Sequence, residues 1–174
     1  MVVFMKYIFI LRCFLHEVFC FMFRNISILL IEDDEVEIEH IKRSFQKSFF
    51  NVALTCVNSA LEALNFLRDP NNRNPLVSSF IILLDMNLPR MKGSEFLQIL
   101  RQDSALKIST VFVLTGSVNE HDVQAAYNAG VAGYILKDKV GDDCRALIDL
   151  LKCYLLVSSP FNEYLFLEGN TPSA

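Results

Sequence analysis

Apolar runs that each end in a polar residue constrain this chain more than any other feature. SILLI (27–31), FIILL (80–84) and TVFVL (110–114) show no polar alternation, and GYIL (133–136) is a shorter run of the same kind. Runs like these are strands buried on both faces, as in parallel sheets covered by helices. The residues that follow them are Glu32-Asp33-Asp34, Asp85, Thr115 and Lys137. In open α/β sheets, ligands bind in the crevice at the carboxyl ends of the strands. Carboxylates, a hydroxyl and an ammonium converging there suit a divalent metal and a phosphoryl group.

Between the runs the sequence reads as helices. Glu35 to Lys47 offers Val36, Ile38, Ile41 and Phe45 as an apolar face, and its acidic start suits the positive end of a helix dipole. Asn51 to Val57 reads as a further strand. Ser59 to Leu67 reads as a helix with Leu61, Leu64 and Leu67 on one face and Ser59 or Asn58 as cap. Asp69 to Ser79 is a Pro/Asn-rich loop, long for a connection of this kind. Helices are expected over Ser94–Arg101, over Asn119–Ala129 closed by Gly130, and over Asp142–Leu156. Five βα units with right-handed crossovers predict an α/β fold. Its sheet is a doubly wound, five-stranded parallel sheet of flavodoxin-like order 2-1-3-4-5, with helices on both faces.

The 174 residues suit one domain, placed at 25–156 between a hydrophobic extension (1–24) and a tail (157–174). Net charge is −4 and no Lys/Arg run or DNA-reading module is visible, so no nucleic-acid partner is expected. The five cysteines form no CxxC pair, which argues for a reduced, cytoplasmic chain and against zinc. Lys6, Arg12, His16, Glu17 and Arg24 break the first 24 residues, leaving no run long enough to span a membrane. Phe and Ile fall on all faces of that segment, so membrane contact is not expected of it either. Met22 lies just before the first strand, and translation is expected to begin there.

Clustered carboxylates repel one another unless a cation neutralises them. Mg²⁺ fits, because it takes one or two carboxylates together with water and phosphate oxygens. The loop IEDDE (31–35) would repel a phosphate unless a cation lay between them, and no small-molecule cofactor is expected there. Asp85 is then placed to attack a phosphoryl group and form an aspartyl-phosphate. Lys137 can pair with the phosphate, Thr115 can donate its hydroxyl, and the N–H groups of Asn87 and Gly116 can add donors. One of Asp33 and Asp34 is expected to cap the following helix. Singly, Asp85 reads as a turn residue, Thr115 as a strand end and Lys137 as a solvated charge. It is their joint order and spacing that points to a site.

ILLIEDDE (28–35), ILLDMNLPRMKG (82–93), VLTGS (113–117) and AGYILKD (132–138) together resemble the receiver (CheY-like) domain of two-component response regulators. The narrower likeness is to stand-alone regulators paired with phytochrome-type histidine kinases. The resemblance implies a phosphorelay protein in which Asp85 accepts a phosphoryl group from a histidine kinase. It implies Asp33 as direct metal ligand, Glu32 as a ligand through water, and Asn87 as a backbone-carbonyl ligand alongside Asp85. Phosphate binding falls to Thr115, Gly116, Asn87 and Lys137. Thr115 and Tyr134 become a switch pair, and Asn87 and Ser117 flank the path of attacking water. A homodimer is also implied, with Leu155, Val157, Phe161 and Tyr164 as candidate contacts. The family usually has a cis proline after the lysine; Asp138 stands there instead, so the loop beyond the fifth strand is expected to differ.

Two rival readings share parts of this pattern. A haloacid-dehalogenase-type phosphatase needs a second aspartate two residues after the nucleophile, where this chain has Asn87, so turnover chemistry is not expected. A phosphorylation-independent interaction module would not need Asp33, Asp85 and Lys137 together, and all three are present. His16, His40 and His121 have no evident partners, and the latter two are expected on helix surfaces.

Overall fold

In a computed structural model, residues 26–157 are described apart from 49, 51, 70 and 72–78. The strands are β1 (Ile26–Ile31), β2 (Ala53–Val57), β3 (Ser79–Leu84), β4 (Thr110–Thr115) and β5 (Gly133–Leu136). The helices are α1 (Glu35–Lys47), α2 (Ala60–Arg68), α3 (Gly93–Gln102), α4 (Glu120–Asn128) and α5 (Arg145–Val157), with a 3₁₀ turn over Lys137–Lys139. All strand pairs are parallel and the order is β2-β1-β3-β4-β5, as the alternation predicts. The expected extension, the tail, the Met22 start and nearly all of the 69–79 loop lie outside the described residues.

The uninterrupted runs face two cores. Leu29, Ile31, Ile82, Leu84, Val111 and Val113 point to one face, where Ala63 and Leu64 of α2, Phe96 and Leu100 of α3 and Ala126 of α4 cover them. Ile28, Leu30, Ile81, Leu83, Phe112 and Leu114 point to the other, covered by Ile38, Ile41 and Phe45 of α1 and by Leu147, Leu151 and Leu155 of α5. Alternate residues serving opposite layers explain why no polar residue interrupts these strands.

Three expectations need correction. Periodicity puts Val36 and Leu61 on apolar, inward faces, yet they are 77% and 59% exposed. Val36 stands two residues from Ile38, about 200° around a helix, so both cannot face the core. The inward row of α2 is instead Ala60, Ala63, Leu64 and Leu67. Leu155 is only 4% exposed and packs in the core, because it follows Leu151 by one turn and Ile148 by two. Phe161 and Tyr164 are outside the described residues. His40 is on the surface as expected, but its Nε2 lies in hydrogen-bond reach of the Asp142 carbonyl, joining α1 to the turn before α5.

Helix ends match their chemistry. Ser59 caps α2 by accepting from the Glu62 N–H, and the Glu62 carboxylate accepts the N–H of Asn58, the residue before the cap. Asn119 accepts from the His121 N–H and caps α4. Gly130 ends α4 at φ +67°, in the left-handed region. No cis peptide occurs among the described residues, so Lys137–Asp138 is trans, the default for any bond not preceding proline.

Candidate phosphoacceptor and metal site

The register builds the site. Ile31 pairs with Leu84, so Glu32 and Asp85 emerge side by side, and the Asp85 N–H donates to the Ile31 carbonyl at 3.0 Å. Leu84 pairs with Val113 and Thr115 with Leu136, which brings Thr115 and Lys137 to the same edge. Glu32, Asp85 and Thr115 are buried, at 2%, 6% and 0% exposure.

Lys137 ties the edge together. Its Nζ donates to Glu32 Oε2 at 2.8 Å and to Asp85 Oδ2 at 2.9 Å, and it lies 2.6 Å from Glu37 Oε2. Burial works against a charged lysine, but the hydrogen bonds it donates to Glu32, Glu37 and Asp85 outweigh it and hold Lys137 above the ordinary lysine range. Burial is the main influence on Glu32, pushing its carboxyl up to about 7 against the opposing pull of Lys137. The other Asp85 oxygen, Oδ1, accepts the Asn87 N–H at 3.0 Å. That N–H therefore already serves Asp85.

Glu32, Asp33 and Asp85 each offer an oxygen, and these lie within 4.8 Å of one another. Asp34 is turned away from them: its Oδ1 accepts from the Val36 and Glu37 N–H groups at 2.8 and 3.4 Å and caps α1. Of the two aspartates that residue chemistry alone offers as cap, Asp34 is the one that caps α1, which leaves Asp33 for the ligand role that the resemblance implies. An all-oxygen carboxylate set at a solvent-accessible edge fits a hard divalent cation such as Mg²⁺.

The loop after β4 links the remaining residues. Thr115 Oγ1 accepts the Ser117 N–H at 3.2 Å, and the Tyr134 hydroxyl donates to the Ser117 carbonyl at 3.1 Å. Tyr134 is half-buried; burial first, then the charges of Asp122 and Asp85, raises its phenol against the Ser117 hydrogen bond. Gly116 is exposed, with open space around its α-carbon. Asn87 is exposed beside Asp85.

Two residues near the site escape the sequence reading. Glu37 is the third partner of Lys137, although in sequence it is only one more acidic residue in a helix's first turn. Gly93 opens α3 with its α-carbon against the Asp85 peptide: a Cβ there would stand 2.7 Å from the Asp85 carbonyl oxygen and 2.8 Å from Met86 Cα. Only the glycine within the motif hinted at this close approach.

The sequence profile of the response regulator receiver domain matches residues 28–149. Response regulator Rcp1 of Synechocystis sp. is 31% identical over 129 residues, covering 74% of this chain and 88% of that protein. The structure of the phosphorylated cyanobacterial phytochrome response regulator RcpA is 30% identical with a TM-score of 0.62, over 76% of this chain and 95% of that one. The Mn²⁺-bound form of Rcp1 is 31% identical with a TM-score of 0.59, over 85% of this chain and 99% of that one. Among the described residues no helix is long and apolar enough to cross a membrane. Receiver domains are signalling modules that interact with histidine kinases and bind Mg²⁺ in an acidic pocket like this one. Its fold, its strand-end constellation and the extent of these matches make the chain a member of the CheY-like response regulator receiver family of two-component signalling.

Proposed function

We propose that the protein is a cytoplasmic response regulator that takes a phosphoryl group from a histidine kinase onto Asp85 in a Mg²⁺-dependent reaction. The observation that carries this is the Lys137 ammonium, held at 2.9 Å from Asp85 Oδ2 beside the Glu32–Asp33–Asp85 cluster. An Asp85 carboxylate oxygen attacks phosphorus in line, the bond from phosphorus to the kinase imidazole breaks, and the imidazole nitrogen leaves with that electron pair. Glu32, Asp33, Asp85 and the Asn87 carbonyl would hold Mg²⁺, which when bound neutralises charge on the carboxylates and the phosphoryl oxygens. Lys137 takes up negative charge on the transferred group. Thr115 and the N–H of Gly116 donate to its oxygens, and Asn87 and Ser117 border the path of water.

Thr115 sits at full burial one strand from Tyr134, and both bond to Ser117. Recruiting the threonine hydroxyl to the phosphoryl group changes that shared anchor and biases Tyr134 inward. The signal then leaves through the face of α4, β5 and α5 by protein contact. A phytochrome-type kinase is the proposed donor, supported by the likeness to the phytochrome regulator RcpA. A homodimer through α5 would use Leu150, 41% exposed, in place of the buried Leu155.

Intact mass after incubation with acetyl phosphate tests the reading. Wild type with Mg²⁺ should gain one phosphate, and wild type with chelator or Asp85→Asn should gain none. Equal incorporation into Asp85→Asn would overturn it.

A further inference from the structure

Lys137 has three N–H donors and, among the described residues, three carboxylate partners. Two of them, Glu32 and Asp85, belong to the acidic cluster, where a metal and a phosphoryl group would engage them. Glu37 does not. It stands on the first turn of α1, its side chain 37% exposed, and makes the shortest of the three contacts at 2.6 Å. Its place is fixed locally, because the Asp34 carboxylate that caps α1 accepts the backbone N–H of Glu37 itself.

This arrangement has a consequence once Asp85 is phosphorylated. Phosphorylation turns the Asp85 carboxylate into an acyl phosphate, which removes the carboxylate charge that Lys137 now contacts and offers phosphoryl oxygens in its place. Glu37 stays where it is and goes on drawing on the same ammonium. We propose that Glu37 is a positioning residue that shares the charge of Lys137 and thereby weakens the lysine's hold on the phosphoryl group at Asp85. The inference rests on the phosphoacceptor reading of Asp85 given above.

Beryllofluoride, a phosphoryl mimic that binds carboxylates, provides the test at saturating Mg²⁺, with affinity and the bound fluorine resonances read by ¹⁹F NMR. Glu37→Gln keeps the length and an acceptor oxygen but removes the charge. Glu35→Gln is the control, since Glu35 is exposed on the same turn and is not one of the three partners of Lys137. Glu37→Gln should bind beryllofluoride about two- to fivefold more tightly, the scale of a partly exposed ion pair, and shift the bound ¹⁹F signal. Glu35→Gln should match wild type in both. Tightening is an effect that loss of structure does not produce. Unchanged or weaker binding by Glu37→Gln would overturn the inference, as would an equal gain in Glu35→Gln, which would trace the effect to net charge alone. In either case wild type still binds, and the Asp85 reading stands. Failure of wild type to bind beryllofluoride would overturn both.

Discussion

Asp33 and Asp34 are adjacent and chemically identical, but Asp34 caps α1 while Asp33 stands in the carboxylate cluster, so comparing their losses is a sharp test of the proposed metal site. Asp34 Oδ1 accepts from the Val36 N–H at 2.8 Å and from the Glu37 N–H at 3.4 Å, at the positive end of a helix of 13 residues. Losing such a cap costs about 1 kcal/mol, within a range of roughly 0.5–2. In a chain of this size each kcal/mol moves the melting temperature by about 2–4 °C. Asp34→Ala should therefore lower Tm by a few degrees, and Asp34→Ser should recover most of the loss. Neither change should move Mg²⁺ affinity by more than about twofold, because the carboxylate points away from Glu32 and Asp85. Asp33→Asn should behave in reverse. It removes one of three clustered carboxylates, so Mg²⁺ affinity should fall about tenfold or more, the equivalent of only 1.4 kcal/mol. Metal-free stability should hold or rise, since without a cation the clustered carboxylates repel one another and the substitution removes one of them. Calorimetric Mg²⁺ titration and thermal melts on the same samples read both quantities. Loss of Mg²⁺ binding in Asp34→Ala with retention in Asp33→Asn would refute the assignment of cap and ligand.

Further outcomes follow from the same geometry. Glu32 is raised from 4.5 to about 7, so the folded state binds its proton more tightly than the unfolded chain does. Its contribution to metal-free stability is full below about pH 4.5 and lost as pH climbs through 7, whereas a metal needs the ionised form. The rise in Tm produced by Mg²⁺ should therefore grow between pH 5.5 and 8, and a flat profile in differential scanning fluorimetry would contradict the burial argument. Gly93→Ala places a methyl group against the Asp85 peptide and should cost about 1–3 kcal/mol as an overpacked contact; urea melts with no change in midpoint would count against it. Arg101 donates to the carbonyls of Lys107, Ser109, Ala129 and Gly130 at 2.7–3.0 Å, joining the loop after α3 to the end of α4. Arg101→Met should lose about 3–6 kcal/mol, counting the part-buried bonds to Ala129 and Ser109 at roughly 1.5–3 each and leaving the exposed carbonyls of Lys107 and Gly130 to water, while acetyl phosphate still labels Asp85.

The chain itself determined the strands, their parallel class and the residues at their ends, because a strand covered on both faces must be apolar throughout and can turn polar only where it leaves the core. Helix limits were legible wherever a cap had local chemistry, as at Ser59, Asn119 and Gly130. Burial on α1 and α2 was less so: Val36 and Leu61 are apolar and exposed, since which arc of a helix meets the sheet depends on its neighbours. Leu155 reads as a surface residue in sequence and is core because α5 lies on the face opposite α2, α3 and α4. Cap preference left Asp33 and Asp34 equal, and only the family resemblance favoured Asp33 as the ligand, so the identity of the cap was not settled by the residues themselves. It needed the direction of each carboxylate. So did the pairing of Glu37 with Lys137, which are 100 positions apart in the chain. Periodicity fixes which residues reach the sheet edge, but long-range charge pairs are decided by how helices are set upon it.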